Sequence, residues 1–348
     1  YSITGDTSNN IYICGGADAT TGVQTPYTWK AKYSAGEGTS RVGAKWAGMC
    51  CDNTGAKFAA VIEGTGGEIY TSTDSGDTLV LPSTGGSGSG TGWRAIACSD
   101  DFVKQYAATG SGATPGNLFV SVDSGDTWTQ LSTGAGFPPV DQQWSAITMD
   151  SDGSVIAAVI GGDEGDESST GTIWLSVDYG ATWTEQIPPP VTMPGTKNWQ
   201  AITSNADGSK LAACVGDGSQ EPPGSVVGNI WTYDSAGGVP AEWTGICCNT
   251  DGARMAVCNT THIYISSDSG ATLEQKQIAT APAEWSAIAC SDDFIFQVAA
   301  EGYGTSTGRV WLSIDGGLNW TQKAGAGDPP SAQWKSVTIN NDGTMIAA

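Results

Sequence analysis

The sequence predicts an all-β protein, a seven-bladed β-propeller of four-stranded antiparallel blades. A tryptophan that opens a short apolar segment recurs every 42 to 55 residues, and a period in this range is typical of repeat architectures. A turn of the form Ser-x-Asp-x-Gly recurs in register with it, and no helical period competes. We expect a single domain over residues 1–348 with repeats that start near Trp46, Trp93, Trp144, Trp199, Trp243 and Trp285.

Each repeat contains four strand-like segments, and the third repeat is the clearest. Residues 144–148 form a short apolar segment, and an Asp-Gly turn leads into the continuous apolar run 155–160. Such a run is typical of a strand that is buried on both faces. Residues 172–176 and 182–184 follow as third and fourth strands around a second tight turn. Four antiparallel strands in 40 to 50 residues describe one propeller blade.

The two ends of the chain are predicted to complete a seventh blade. The last repeat, from Trp334 to Ala348, supplies two strands, and residues 10–13 and 27–30 resemble the missing third and fourth. Residues 334–348 together with 1–33 then close the ring and remove its open edges. Alternatively the half-blades pair between molecules and build a polymer. Because the chain starts at Tyr1 and stops within a repeat, we expect a segment of a longer or processed product.

The charge balance limits the possible partners. The chain has 36 acidic and 14 basic residues, a net charge of −22. Such a surface repels nucleic acids and anionic membranes, and no apolar run of about 18 residues is long enough to span a bilayer. We therefore expect no nucleic-acid partner, no direct membrane insertion and no cofactor.

The nine cysteines follow the repeat. Two vicinal pairs occupy equivalent positions, and two further cysteines share the second of them: Cys50-Cys51 and Cys247-Cys248, with Cys98 and Cys290. We expect small buried strand residues. Disulfides in an oxidising compartment are the alternative, with a connectivity that the sequence leaves open. A zinc site is disfavoured, since His262 is the only histidine.

Five turns carry a recognisable motif, which is followed by Thr or Asn and then Trp or Leu. The turns are Ser72-x-Asp74-x-Gly76, Ser121-x-Asp123-x-Gly125, Ser176-x-Asp178-x-Gly180, Ser266-x-Asp268-x-Gly270 and Ser313-x-Asp315-x-Gly317. The pattern resembles the Asp-box, or bacterial-neuraminidase repeat, of sialidases, some xyloglucan-cleaving glycosidases, sortilin-type receptors and photosystem II assembly factors. The fourth repeat departs from it. The resemblance implies a structural role: Asp accepts backbone N–H groups, Gly supplies a positive φ, and the aromatic residue anchors the turn.

The sequence assigns no catalytic residue. Sialidases bind their substrate through three arginines, one often in Arg-Ile-Pro, whereas no arginine here precedes Ile-Pro and Arg254 lies at the turn end of a strand. The residues after the repeat tryptophans, expected to line the channel, include no carboxylates: Ala47, Arg94, Ser145, Gln200, Thr244, Ser286 and Lys335. A carboxylate pair for glycoside hydrolysis is still possible between the loop 163–167 and Asp217 or Glu221.

Three other features suggest weaker sites. Asp163, Glu164, Asp166 and Glu167 are a weak calcium candidate, for which a solvated acidic loop is the simpler explanation. Asn259 and Asn319 lie in glycosylation sequons, and we expect Asn259 to be the better acceptor. Aromatic residues share one third-strand position, where we expect wedge-filling between blades rather than sugar stacking: Tyr70, Phe119, Trp174, Trp231, Tyr264 and Trp311.

Together these features favour a non-enzymatic extracellular propeller that acts as a structural or interaction module. It is expected to bind protein and to self-associate, as the repeating subunit of a surface appendage, fibre or matrix. The first alternative is a secreted glycan-binding or glycoside-hydrolysing propeller, with carbohydrate as the partner. The second is an assembly factor or receptor like the photosystem and sortilin propellers, although four arginines offer little for a basic patch.

Overall fold

The computed structural model describes residues 11–15, 28–32, 45–64, 66–81, 92–110, 115–131, 136–161, 171–186, 199–215, 230–232, 235–236, 243–276, 278, 284–303, 307–324 and 328–348. Within these residues every regular element is a β-strand. None of them forms a helix with the length and apolar character that crossing a membrane requires.

The strands are short, and their bounds follow the repeat. In chain order they are β1 Ile11–Gly15, β2 Thr28–Lys32, β3 Lys45–Cys51, β4 Phe58–Glu63, β5 Ile69–Ser72, β6 Trp93–Cys98, β7 Gln105–Thr109, β8 Leu118–Ser121, β9 Thr129–Gln130, β10 Trp144–Met149, β11 Ile156–Ile160, β12 Ile173–Ser176, β13 Thr184–Gln186, β14 Trp199–Ser204, β15 Leu211–Val215, β16 Ile230–Thr232, β17 Ser235–Ala236, β18 Trp243–Cys248, β19 Met255–Asn259, β20 Ile263–Ser266, β21 Glu274–Lys276, β22 Trp285–Cys290, β23 Gln297–Glu301, β24 Val310–Ser313, β25 Thr321–Lys323, β26 Thr338–Ile339 and β27 Met345–Ala347.

The strands form antiparallel propeller blades. Blade 1 contains β3 to β5, and blades 2 to 6 each contain the next four consecutive strands, from β6–β9 to β22–β25. All neighbouring strands within a blade pair in antiparallel register. A register shift occurs after the tryptophan that opens each first strand of blades 1 to 6, where that strand bends.

The blade count differs from the sequence prediction. Five sheets are complete four-stranded blades, each built from four strands that follow one another in the chain. The sequence predicted seven blades. In blade 1 the fourth strand is reduced to a single bridge between Thr71 and Val80. The remaining sheet, called the terminal sheet, has the order β2-β1-β27-β26 and joins both ends of the chain.

The second strand of each blade is the centre of the core. Strands β7, β11 and β19 are buried along their whole length, which for β11 confirms the prediction from the apolar run 155–160. Several second strands carry two successive alanines, including Ala59-Ala60, Ala157-Ala158 and Ala299-Ala300. Their side chains alternate between clusters shared with the preceding and the following blade. One cluster joins Phe58 of blade 1 to Ala347 of the terminal sheet.

Aromatic residues complete the contacts between blades. Trp93 is fully buried and packs edge-on against Phe119 of its own blade, with ring centroids 5.1 Å apart. The same cluster includes Val61 and Ile69 of the preceding blade. Similar edge-on pairs join Trp243 to Tyr264 and Trp285 to Trp311. Of the aromatic residues at this third-strand position, Tyr70, Phe119 and Trp311 are buried, as wedge-filling requires, whereas Trp174 and Tyr264 are half-buried.

Candidate functional site

Two families of hairpins lie together at one end of the blades, and we call this end the turn face. One hairpin joins the first and second strands of a blade, and the other joins the third and fourth. Backbone hydrogen bonds connect them: the N–H of Ser124 donates to the carbonyl of Val103, and that of Tyr179 donates to Ser154. Blades 1, 5 and 6 repeat this bond, so the two hairpins form one rigid unit.

The Ser-x-Asp-x-Gly turns share one hydrogen-bond network. In blade 3 the Ser176 hydroxyl donates to Asp178 Oδ1 at 2.9 Å and accepts the buried N–H of Gly180 at 2.9 Å. Asp178 in turn accepts the backbone N–H of Thr182 at 2.8 Å and its hydroxyl at 2.6 Å. Equivalent bonds are present in the other four turns. These carboxylates are therefore occupied as turn formers.

The glycines and the following aromatics behave as the sequence predicts. The motif glycines all have positive φ: 80° at Gly76, 88° at Gly125, 76° at Gly180, 83° at Gly270 and 82° at Gly317. The indole N–H of Trp128 donates to the Gly125 carbonyl at 3.0 Å, and Trp183 and Trp320 make the same bond in their turns. The indole thus fixes the turn to the blade.

Hydrogen bonds make these turn aspartates stronger acids. The threonine hydroxyl four residues later, followed by its backbone N–H, lowers the pKa of Asp123, Asp178 and Asp268. For Asp74 the backbone N–H of Thr78 is the largest cause of the lowered pKa. A lowered pKa favours the ionised form, so the turn face carries fixed negative charge at neutral pH.

A chain of backbone hydrogen bonds links the blades at the turn face. The residue seven positions after each repeat tryptophan donates its N–H to the carbonyl of the equivalent residue in the next blade. The links run Asn53 to Asp100, Asp100 to Ser151, Ser151 to Ala206, Ala206 to Thr250, Thr250 to Asp292 and Asp292 to Asn341, at 2.8 to 3.2 Å. The Asn340 side chain then donates to the Thr54 carbonyl at 3.0 Å. Sequence reasoning missed this arrangement.

The residue before each linking residue has a polar side chain, which accepts a backbone N–H across the hairpin between the first and second strands. Asp150 is buried and accepts the Val155 N–H at 3.0 Å, while Asn205 accepts the Lys210 N–H at 2.8 Å. Its equivalents in the other blades make the same bond: Asp52, Ser99, Asn249, Ser291 and Asn340. The signal in the sequence is the recurrence of Asp, Asn or Ser six residues after the tryptophan.

Two linking residues carry carboxylates of raised pKa. For Asp100 burial is the largest cause of the raised pKa, against a hydrogen bond from Asn341 at 3.3 Å. For Asp292 burial comes first and repulsion by Asp100 second. Two acids from distant repeats are thus brought into electrostatic contact. Among the described residues, however, no group of three or more His, Cys, Asp or Glu side chains is placed to hold a metal ion.

Two of the predicted channel residues join neighbouring blades. The hydroxyls of Ser145 and Ser286 each donate at 2.6 Å to the carbonyl of the next repeat tryptophan, Trp199 and Trp334 respectively. Arg94 lies beside Trp93, at the end of the blade opposite the turn face, whereas Arg254 lies at the turn face before β19. These two arginines therefore do not converge on one substrate carboxylate.

The other predicted sites divide between described and undescribed residues. The calcium candidates Asp163, Glu164, Asp166 and Glu167, and the loop acids Asp217 and Glu221, lie outside the described residues. Asn259 is buried and its amide oxygen accepts the N–H groups of Thr261 and His262. Asn319 is exposed and donates to Asp315. Exposure therefore favours Asn319 as a glycosylation acceptor, the reverse of the sequence-based preference.

The fold defines the chain as a β-propeller, and comparisons with known proteins agree. No family model and no curated protein matches the sequence. The chain is similar to the solved structure of YCF48 from Cyanidioschyzon merolae, with 13% identity, 87% of this chain and 95% of that chain covered, and a TM-score of 0.59. YCF48 bound to D1 peptide matches with 13% identity, 87% and 92% coverage and a TM-score of 0.57. A chain of the mitotic checkpoint complex matches with 14% identity, 86% and 88% coverage and a TM-score of 0.55. At these identities the likeness concerns the fold alone.

The first prediction concerns the turn glycines. We expect Gly180→Val to lower the free energy of unfolding by about 3 kcal/mol, because a Cβ at φ 76° would also collide with the Tyr106 ring. Urea denaturation measures the change. Gly125→Val should behave similarly, since its Cβ would lie 2.8 Å from Thr71 Cγ2.

Gly66→Val is the matched control, because Gly66 has φ 77° but open space around its Cβ position. Only backbone strain should appear there, at about 1 kcal/mol. Equal losses at residues 66 and 180 would contradict the role assigned to packing at the motif glycine.

The second prediction concerns the neighbours Asp100 and Asp101. The folded-state pKa of Asp100 is raised above 3.8 by burial, so its protonated form favours folding and that contribution disappears as the pH rises through the folded pKa. Asp100→Asn should therefore stabilise the protein at pH 7, by less than about 1 kcal/mol at this half-exposed position. The gain should vanish in acid.

Asp101→Asn should have the opposite sign. Hydrogen bonds from Ser99 and from the Val103 N–H lower the Asp101 pKa below 3.8. Its contribution is present above 3.8 and is lost as the pH falls through the folded pKa. Thermal unfolding of both variants from pH 3 to pH 7 provides the comparison, and effects of the same sign would refute it.

Proposed function

We propose that the chain is a non-enzymatic extracellular β-propeller that binds protein through its turn face. In this proposal one copy binds the next, head to tail, as a building block of a surface appendage, fibre or matrix. The YCF48 structure with a D1 peptide and the mitotic checkpoint complex are propeller structures that contain protein partners. They support a binding role for the fold, and the choice of partner rests on the surface described next.

The observation that carries the proposal is a set of exposed apolar side chains on the turn face. The second residue of the Ser-x-Asp-x-Gly turn is Val122 in blade 2, Val177 in blade 3 and Ile314 in blade 6, with exposures of 67%, 67% and 50%. The exposed Val103 and Ile295 lie on the adjoining first hairpins. The turn forms equally well with a polar residue at this position, since blades 1 and 5 have Thr73 and Ser267 there. Exposed apolar side chains that the fold does not require favour a contact with another protein.

Charge favours a head-to-tail arrangement. The turn face carries the five motif aspartates, and each first hairpin adds at least one more acid: Asp52, Asp101, Asp152, Asp207, Asp251, Asp293 and Asp342. The opposite end of the blades carries both signs beside the repeat tryptophans: the cations Lys45, Arg94 and Lys335 and the acids Glu63, Glu284 and Glu301. Two turn faces with this excess of carboxylates repel each other, which disfavours a contact between like faces. Contacts between unlike faces propagate into open chains of subunits.

We also infer that blades 1 to 6 and the terminal sheet form one closed ring over residues 1–348. The pairing of β1 with β27 supports this, as do the hydrophobic cluster between blade 1 and the terminal sheet and the bond from Asn340 to Thr54. We further assign the five turns to the Asp-box type, on their hydrogen bonds and positive-φ glycines. A closed ring gives the turn face a fixed shape.

Sedimentation velocity over a range of protein concentrations tests the proposal. We expect the wild type to self-associate, and the triple variant Val122→Asp, Val177→Asp, Ile314→Asp to weaken association at least about tenfold by placing charge in a desolvated contact. The matched control is Thr73→Asp with Ser267→Asp, at the same turn position in the polar blades. The control should associate like the wild type.

Two results would overturn the proposal. One is a wild type that remains monomeric at every concentration, and the other is a triple variant that associates as well as the control. Unfolding midpoints of all three proteins establish that the substitutions act on the contact and leave the fold intact.

A further inference from the structure

Two pairs of thiols face each other across blade boundaries. Cys98 in blade 2 is in side-chain contact with Cys50 in blade 1, and Cys290 in blade 6 is in the same contact with Cys247 in blade 5. Each pair adjoins the hydrophobic cluster between its two blades. The thiols of Cys98 and Cys290 also donate to the carbonyls of Cys51 and Cys248, both at 3.3 Å. The same geometry thus occurs twice.

The adjacent cysteines of each vicinal pair point in opposite directions. Cys50 contributes to the cluster shared with blade 2, whereas Cys51 packs towards the terminal sheet, with its sulfur 3.6 Å from Thr338 Oγ1. Cys248 likewise packs towards the preceding blade, with its sulfur 3.8 Å from Thr203 Oγ1. Successive strand residues alternate in direction. A vicinal disulfide would require this alternation to be broken.

A glycine brings the two strands together at both boundaries. A Cβ placed on Gly48 would lie 3.3 Å from Ala95 Cα, and one on Gly245 would lie 3.2 Å from Ala287 Cα. Blades 3 and 4 have an alanine at the equivalent first-strand position, Ala146 and Ala201, and lack a cysteine two residues later. Glycine therefore occurs in blades 1 and 5, the two blades that supply Cys50 and Cys247 to the pairs. Close strands are what a disulfide requires, since its Cα atoms lie within about 7 Å.

We propose that Cys50–Cys98 and Cys247–Cys290 form two disulfides that tie blade 1 to blade 2 and blade 5 to blade 6. The oxidant is a small-molecule disulfide such as oxidised glutathione. One cysteine thiolate attacks it and releases one small thiol, and the second cysteine thiolate then displaces the other small thiol from the mixed disulfide. Each bond removes two electrons and two protons from the protein and reduces one oxidant molecule to two thiols.

The burial of the pairs places this reaction before the blades pack. Burial raises the pKa of Cys98, and contact with Cys247 followed by burial raises that of Cys290. In the packed protein these thiols are protonated and therefore slow to react. Among the other described cysteines, Cys214 lies in a different cluster. Cys258 shares the cluster of Cys247 and Cys290, but its sulfur lies 3.3 Å from Thr244 Oγ1, and we expect both to remain thiols. The inference depends on folding in an oxidising medium and is independent of the proposed assembly.

Peptide mapping of the whole chain tests the connectivity. The chain is folded from the reduced, denatured state in a mixture of oxidised and reduced glutathione, alkylated, and cut with trypsin without reduction. We expect peptide 46–57 joined to 95–104, and 211–254 joined to 277–309, with both pairs separating on reduction. Fragmentation spectra should place the bonds at Cys50 and Cys247, with Cys51 and Cys248 alkylated.

Serine variants provide matched controls within each vicinal pair. Cys51→Ser should keep the link between 46–57 and 95–104, and Cys50→Ser should abolish it; Cys248→Ser and Cys247→Ser should divide in the same way. Bonds through Cys51 or Cys248, vicinal bonds, or alkylated thiols at all four predicted positions of the folded wild type would overturn the assignment. The wild-type map decides the question even if a serine variant fails to fold.

Discussion

The structure depends on a run of hydrogen bonds that joins each blade to the next at the turn face. Each link uses a backbone N–H and a carbonyl that the short first strand leaves unpaired at its end, and a buried backbone group without a partner is costly. The bond therefore fixes the distance between neighbouring first strands. The hydrophobic clusters between second strands then determine how tightly the blades pack around that fixed line.

This frame makes the turn face a rigid support for the binding role proposed above. The hairpin between the first and second strands is held by a buried polar side chain such as Asp150. The hairpin between the third and fourth strands is bonded to it through backbone groups. Side chains at the second position of the Ser-x-Asp-x-Gly turns project from a rigid support. Little conformational entropy is then lost when they meet a partner, so a few apolar contacts contribute more to affinity than they would on a mobile loop.

The sequence was informative where side chains carry the structural requirement. The tryptophans, the apolar second strands and the Asp and Gly of the turns predicted the propeller and its blade boundaries, because each is needed at a fixed place. The links between blades escaped prediction because they are made by backbone groups. Asn53, Ala206 and Thr250 occupy equivalent positions but have different side chains, so no sequence motif marks them. The reduced fourth strand of blade 1 and the burial of Asn259 also depend on packing that the local sequence does not encode.

The paired alanines of the second strands have a consequence for the angle between neighbouring blades. Side chains such as Ala59, Ala60, Ala157 and Ala158 lie where neighbouring blades approach most closely. Their volume sets the thickness of each wedge and hence the angle between successive blades. Larger side chains at the same positions would widen that angle. Alanine, the smallest side chain with a β-carbon, thus favours thin blades at a small angle to one another.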